Sequence, residues 1–379
     1  MNVFRIHAMQ SLRIGIVGKR GSAHADGFRA HPHAEVVAVC ESDPAVLDRE
    51  ASALGVDQKF LDYEQMLDHV DAVFVATPMH LHADQTLMAL DAGKHVLSEV
   101  TACVSLDECH QLVNAVRSSG LTYTMAENYI FSEENLIVQE MASRGLFGSV
   151  YFGEGEYVHD VKSYHHFPDG SPSWRMRWQV GEPGNTYPTH SLGPVATWFD
   201  AAGSDAQPTS VVCWGSGVHT DPEHPHDDTT ETLVRLNGGG LVRLRLDMMS
   251  NRPSETSFYG IQGTHGVFES GRQGRGSGQV WVGENPPPGP VEPIHLRWQS
   301  VFDFEGLLPK QTRERIAQAK GAGHGGGDFL VAYAFVEAIL GEAPNPVDVI
   351  RGIEWTAAGL CSTQSILKGG VPIAVPNFR

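Results

Sequence analysis

The sequence predicts an α/β chain in two parts, an N-terminal doubly wound parallel sheet followed by an open, mainly antiparallel sheet. Three observations carry this. Short apolar runs alternate with helical patterns through the early chain, as parallel βαβ units do. From Ser149 onward the texture changes to strands with one polar face, joined by short Gly, Asn and Asp turns. At 379 residues the chain is long for one core and comfortable for two domains. The expected division is 1–130 and 131–379, with the C-terminal helices returning to the first domain.

Leu12–Gly18 is an apolar run ending in glycine, as a buried parallel strand does. Gly18-Lys19-Arg20-Gly21-Ser22-Ala23 reads as a turn, His24–Ala30 as a helix, and Glu35–Glu41 as a second strand with an acid at its end. Strand, glycine-rich turn, helix, strand and acid form the layout of a dinucleotide-binding βαβ unit, a Rossmann domain. The glycine pattern is imperfect: Arg20 holds the second glycine position, Ala23 the third, and Gly21 is offset. Glu41 would accept hydrogen bonds from an adenosine ribose and repel a 2′-phosphate, so NAD is expected rather than NADP. Strands follow over Asp71–Pro78, His95–Glu99 and Thr122–Asn128, separated by helices over Pro44–Leu54, His82–Ala92 and Leu106–Ser118.

The second domain opens with an amphipathic helix, Ser132–Arg144, stopped by Gly145. Strands are expected over Ser149–Tyr157, Thr209–Gly217, Thr229–Leu236, Gly240–Met248 and Ser257–Gly263, loops over Gly283–Gly289 and Gly321–Gly327, and helices over Phe329–Leu340 and Asp348–Leu367. Tyr187-Pro188-Thr189-His190 stands just before the apolar run Val195–Phe199. Pro188 suits a helix's first turn, where its missing N–H costs nothing, and this puts Tyr187 and His190 one turn apart, facing the same space. Tyr157 and His159, two apart on a strand, share a face.

Composition narrows the function. Hydrophobic residues make up 41 % and charged residues 19 %, a globular balance, and the net charge of −18 argues against nucleic acid or an anionic membrane as partner. No stretch approaches the roughly 20 apolar residues of a membrane span. Met1–Gln10 lacks the apolar run of a signal peptide, so a cytoplasmic location is expected. The five scattered cysteines read as small buried hydrophobes. His219, His224 and His226, with Asp227 and Asp228, lie in a Pro-containing loop of irregular spacing, and His165-His166 is read the same way; no metal is expected. No Gly-x-Ser-x-Gly elbow is present. A half-exposed sheet face in the second domain leads us to expect a homo-oligomer.

Ala76-Thr77-Pro78-Met79-His80-Leu81-His82, Gly93-Lys94-His95-Val96-Leu97-Ser98-Glu99 and Gly369–Phe378, set on this two-domain plan, resemble the Gfo/Idh/MocA oxidoreductases over essentially the whole chain. Most of that family carry Glu-Lys-Pro after the fourth strand, the lysine polarising the reacting hydroxyl. Here Glu99-Val100-Thr101 offers no lysine, and Thr186 replaces the Asp four residues before the family's catalytic His. One branch lacks the lysine in the same way, the NAD-dependent α-N-acetylgalactosaminidases and their relatives. Glu99-Val100, Glu127-Asn128, Glu156-Tyr157-Val158-His159-Asp160, Trp174-Arg175, Tyr187-Pro188-Thr189-His190 and His324-Gly325-Gly326 are similar to that branch.

The resemblance implies that NAD stays bound and is recycled: hydride leaves the sugar C3, the ketone acidifies C2–H, the C1 group is eliminated, water adds and hydride returns. It implies catalytic roles for His190, Tyr187, Tyr157 and His159, and substrate binding by Arg175 and His324. Cofactor contacts would come from Gly18, Arg20, Gly21, Glu41, Thr77, Pro78, His82, Glu99, Val100 and Asn128. Two other readings stay open at this point: a sugar or polyol dehydrogenase that releases a keto product, and a non-catalytic NAD-binding sensor.

Overall fold

The computed structural model describes residues 11–272, 276–283 and 297–379. Met1–Gln10 and most of the expected Gly283–Gly289 loop lie outside the described residues. The described chain falls into two units. The first comprises residues 11–103, 110–126 and 319–349, and the second comprises 104–109, 127–318 and 350–379.

Six short strands build the first unit's sheet: β1 (Leu12–Val17), β2 (Ala34–Cys40), β3 (Gln58–Phe60), β4 (Ala72–Val75), β5 (His95–Ser98) and β6 (Tyr123–Met125). Their order is β3-β2-β1-β4-β5-β6, and every pairing is parallel. The helices between them are α1 (Ala25–Ala30), α2 (Pro44–Leu54), α3 (Tyr63–Leu67), α4 (His82–Asp91) and α5 (Leu106–Ser119). The central strands are apolar on both faces, with Ile14, Ile16, Val73, Phe74, Val96 and Leu97 at 0 % exposure. Helices cover both sides of such a sheet, so no polar alternation survives in its sequence. α2 starts as its residues dictate: Asp43 caps it by accepting from Ala45 and Val46 N–H, Pro44 follows, and Gly55 closes it at φ 61°.

The second unit contains α6 (Glu133–Ser143), β7 (Val150–Val158), α7 (Trp174–Trp178), α8 (Thr189–Ala201), β8 (Pro208–Gly215), β9 (Thr229–Leu236), β10 (Leu241–Asp247), β11 (Glu255–Gly263), β12 (Gly266–Glu269), β13 (Gln279–Val282), β14 (Gln299–Ser300) and most of α9 (Lys310–Ala319). After α10 (Gly327–Leu340), which belongs to the first unit, all but the first residue of α11 (Val349–Leu367) and then β15 (Ile373–Ala374) return to the second. The described strands form one sheet in the order β14-β13-β12-β11-β7-β10-β9-β8-β15. Only the central pairing of β7 with β10 is parallel; the other recorded pairings are antiparallel.

α8 lies on one face of that sheet. Trp198, Phe199, Leu192 and Val195 are 0 % exposed, and burying side chains of this size contributes about 1.5–3 kcal/mol each. The helix comes close because β7 offers glycines: a Cβ on Gly155 would overlap the Ser191 carbonyl, and one on Gly153 would overlap Val195. The opposite face carries charge. Arg243 donates to Glu231 and Glu154, and Arg272 donates to Glu156. That alternation is what made these strands legible as half-exposed.

Candidate active site

In the first unit, β1 runs into Gly18, which sits at φ 91°, a conformation L side chains rarely adopt. A Cβ there would overlap the Ala76 carbonyl, and one on Gly21 would overlap Ile16. The turn therefore needs glycine at both positions, Gly18 for its backbone and Gly21 for close packing of the following 3₁₀ segment (Lys19–His24) on the sheet. Glu41 lies just past β2 and faces the same turn, accepting from Lys19 N–H at 3.2 Å and from Ser42 N–H at 2.8 Å. Thr77 donates its hydroxyl to Gln85 at 2.6 Å, and Pro78 caps the turn over Met79–Leu81. These residues fit a dinucleotide: a tight glycine turn at the end of a parallel strand, with a carboxylate acceptor for a ribose just past the end of the neighbouring strand.

His82 holds this region from inside. It is 1 % exposed, and its ring nitrogens face the carbonyls of Thr101 (2.7 Å) and Thr77 (2.8 Å), while burial lowers its pKa. Val100 is likewise buried, and Glu99 accepts from its N–H at 3.3 Å.

A second cluster lies in the same unit. Arg20 donates to the wholly buried Asp328 at 3.1 Å and stands 3.6 Å from Glu99. His324, with φ 50° in its glycine-rich turn, has Nδ1 3.0 Å from Asp328. His24, 0 % exposed, completes the group 3.4 Å from Asp328, its pKa lowered chiefly by burial. Burial alone would raise the Asp328 pKa, but the imidazoles of His324 and His24 and the Arg20 guanidinium outweigh it and hold the carboxyl well below its ordinary range.

A carboxylate with a depressed folded pKa stabilises the fold above the unfolded value, about 3.9, and that stabilisation is lost as pH falls below it. Asp328→Asn is therefore expected to cost about 3 kcal/mol at pH 7, as removal of one partner from a buried ionic network does. Thermal melts should show the deficit narrowing toward pH 3; a deficit unchanged with pH would refute the assignment.

The second unit brings four of the expected residues together. His190 stands in the first turn of α8, with Pro188 as the capping residue and Tyr187 just before it. The rings of Tyr187 and His190 are 5.0 Å apart, those of Tyr157 and His190 5.1 Å, and those of Tyr157 and Tyr187 5.4 Å. His159, one residue past β7, has Nδ1 2.9 Å from the Tyr157 hydroxyl. Burial, with Tyr187 and Tyr129 adding, raises the Tyr157 pKa well above its ordinary value, so this phenol keeps its proton at neutral pH.

Sequence reasoning missed Glu127, the group that orients His190. Glu127 is 0 % exposed and accepts from His190 Nδ1 at 2.8 and 3.0 Å while capping the 3₁₀ turn over Asn128–Phe131. The signal was present as the Glu127-Asn128 pair, read only for its asparagine. Thr186, at the family's acid position, donates its hydroxyl to the Gln179 carbonyl instead. With Nδ1–H given to Glu127, His190 Nε2 is left as the proton acceptor. Tyr129 packs edge-on to His190 at 4.5 Å, and Asn128 is buried beside it.

Arg175, on the short helix α7, donates to Gln179 at 2.6 Å and lies 4.4 Å over the Trp174 ring. His324, expected near the substrate with these residues, belongs to the Arg20–Asp328 cluster of the first unit. Among the described residues no group of three His, Cys, Asp or Glu side chains could hold a metal. His165 and His224 are buried, and burial carries the His165 pKa down to about 4. The five cysteines are free and buried, and no described helix is long and apolar enough to cross a membrane.

Fold and site together define an NAD-dependent oxidoreductase of the Gfo/Idh/MocA type: residues 12–127 match the oxidoreductase family with an NAD-binding Rossmann fold. Residues 131–379 match the C-terminal domain of glycosyl hydrolase 109, and the chain belongs to that glycosyl hydrolase family. It is 28 % identical over 408 residues to a glycosyl hydrolase family 109 protein of Shewanella pealeana, covering 98 % of this chain and 86 % of that one. An alpha-N-acetylgalactosaminidase of Shewanella oneidensis is 28 % identical over 404 residues, covering 98 % and 85 %. In fold the chain is similar to an NAD binding oxidoreductase from Klebsiella pneumoniae, with a TM-score of 0.78 at 19 % identity over 97 % of this chain and 99 % of that one.

Proposed function

We propose that the protein cleaves a glycosidic bond by a redox-assisted route, oxidising a ring carbinol of the sugar, at C3, and restoring it within one turnover. The observation that carries this reading is the Glu127–His190 dyad packed against two tyrosines, in a chain whose Glu99-Val100-Thr101 segment supplies no lysine. The name of the Shewanella oneidensis relative supports a glycoside as substrate.

Bound NAD supplies a hydride acceptor early in the cycle and a hydride donor late in it. His190 Nε2 takes the carbinol proton, and Glu127 stabilises the imidazolium that results. The transient ketone acidifies the adjacent C–H. His159 Nε2 takes that proton, its Nδ1 lying against the Tyr157 hydroxyl, and departure of the C1 oxygen, protonated as it leaves, forms the double bond to which water then adds. Tyr157, a neutral phenol coupled to His159, is the proton donor to the leaving oxygen, and His159 replenishes it. His190 returns its proton when the carbinol is restored. Arg175, its planar fork steadied by Trp174, holds sugar hydroxyls or an acyl-amido oxygen.

The test is aglycone release from a panel of nitrophenyl α- and β-glycosides in D₂O, with NADH absorbance followed alongside. Aglycone release without accumulating NADH, with deuterium appearing at C2, is the expected result. Accumulating NADH with an intact glycosidic bond would replace this reading with a simple sugar dehydrogenase. Tight NAD binding with silence on every glycoside would leave a sensor.

A further inference from the structure

Pro194 lies inside α8, four residues after His190. A proline has no N–H, so the helix supplies no i+4 donor to the His190 carbonyl. That carbonyl accepts instead from the Tyr259 hydroxyl at 2.8 Å. Tyr259 is 1 % exposed, on β11 directly opposite Gly155 of β7. The same two paired positions thus receive the first turn of α8: Gly155 by having no side chain, where a Cβ would overlap the Ser191 carbonyl, and Tyr259 by a hydrogen bond.

Burial raises the Tyr259 pKa well above its ordinary value, so the phenol remains a donor across the working pH range. Its ring is fixed edge-on to Trp198 at 6.0 Å, which leaves the hydroxyl little freedom to look elsewhere. A buried carbonyl left without a donor is costly, and a first helical turn without that bond is free to re-aim its side chains.

We propose that Tyr259 is a positioning residue for His190: its hydroxyl takes the place of the N–H that Pro194 lacks, and so fixes the turn from which the imidazole reaches Glu127. The catalytic part of this inference rests on the proposed function; the positioning does not.

Pro194→Ala restores a helical N–H four residues after His190, and this makes the pairing testable. Tyr259→Phe is expected to lower nitrophenyl glycoside turnover about tenfold, the upper end for one neutral hydrogen bond, with KM changed less than about twofold. The ¹⁵N signals of His190 should shift from an Nδ1–H tautomer toward a mixture. In Tyr259→Phe/Pro194→Ala, turnover and tautomer should both return to those of Pro194→Ala alone.

A double variant no better than Tyr259→Phe, or a loss confined to KM, overturns the proposal. Should Tyr259→Phe fail to fold, folding of the double variant supports it and failure of both overturns it. If the wild-type protein releases no aglycone, the glycosidase reading fails by itself, and the ¹⁵N signals with and without Pro194 still decide the positioning.

Discussion

His190→Ala is expected to abolish nearly all turnover, a loss of about a thousand-fold, within the range that one positioned general acid–base group contributes. NAD affinity should change little, because the glycine turn at Gly18 and Gly21 and the carboxylate of Glu41 lie in the other unit. The loss has a diagnostic companion. Glu127 is wholly buried and hydrogen-bonded to His190 Nδ1, so Glu127→Gln preserves shape but removes the charge that supports the imidazolium. That variant should fall about a hundred-fold or more, because the imidazolium formed when His190 takes the proton loses its partner. Stopped-flow fluorescence of NAD binding beside steady-state turnover separates the two functions. His190→Ala with more than a few per cent of wild-type turnover would remove this histidine from the mechanism.

Gly18→Val is the opposite experiment. The residue sits at φ 91°, where a β-branched side chain is strained, and its Cβ would overlap the Ala76 carbonyl. The turn must open for either reason alone. We expect NAD affinity to fall at least about a hundred-fold, measured by calorimetry, as close backbone approach to the pyrophosphate is lost. An affinity within about threefold of wild type would mean that this turn is not where the dinucleotide lies.

The parallel sheet was legible because its strands are buried on both faces and so read as unbroken apolar runs, as Ala72–Val75 does. β3 was not: it spans three residues with two exposed, too short for any pattern to emerge. β12 to β15 escaped for the same reason, with two to four residues each. The parallel pairing of β7 with β10 was also hidden, because alternation tells which face is buried and says nothing of a neighbour's direction.

At the site, Tyr157, His159, Tyr187 and His190 could be grouped by local spacing and motif. Glu127 could not, because its contact with His190 spans 63 residues and no period connects them. Asp328 escaped alike: it looks like an ordinary first-turn acid of α10, and only the fold shows that it is buried against Arg20 and His324. Thr186 shows the converse. The position where a family pattern expects an acid is filled by a hydroxyl that ties one loop to another, and the carboxylate reaches the histidine from elsewhere in the chain.

That 63-residue separation also bears on how the protein acquires activity. Closing so long a segment is an entropic cost met late, after local helices and hairpins have formed. Glu127 arrives on a 3₁₀ turn ahead of α6, and His190 on a helix that must first settle onto the glycines of β7. During refolding, recovery of secondary structure therefore precedes recovery of a working imidazole. Regained turnover reports completion of long-range packing in the second unit rather than the appearance of its helices.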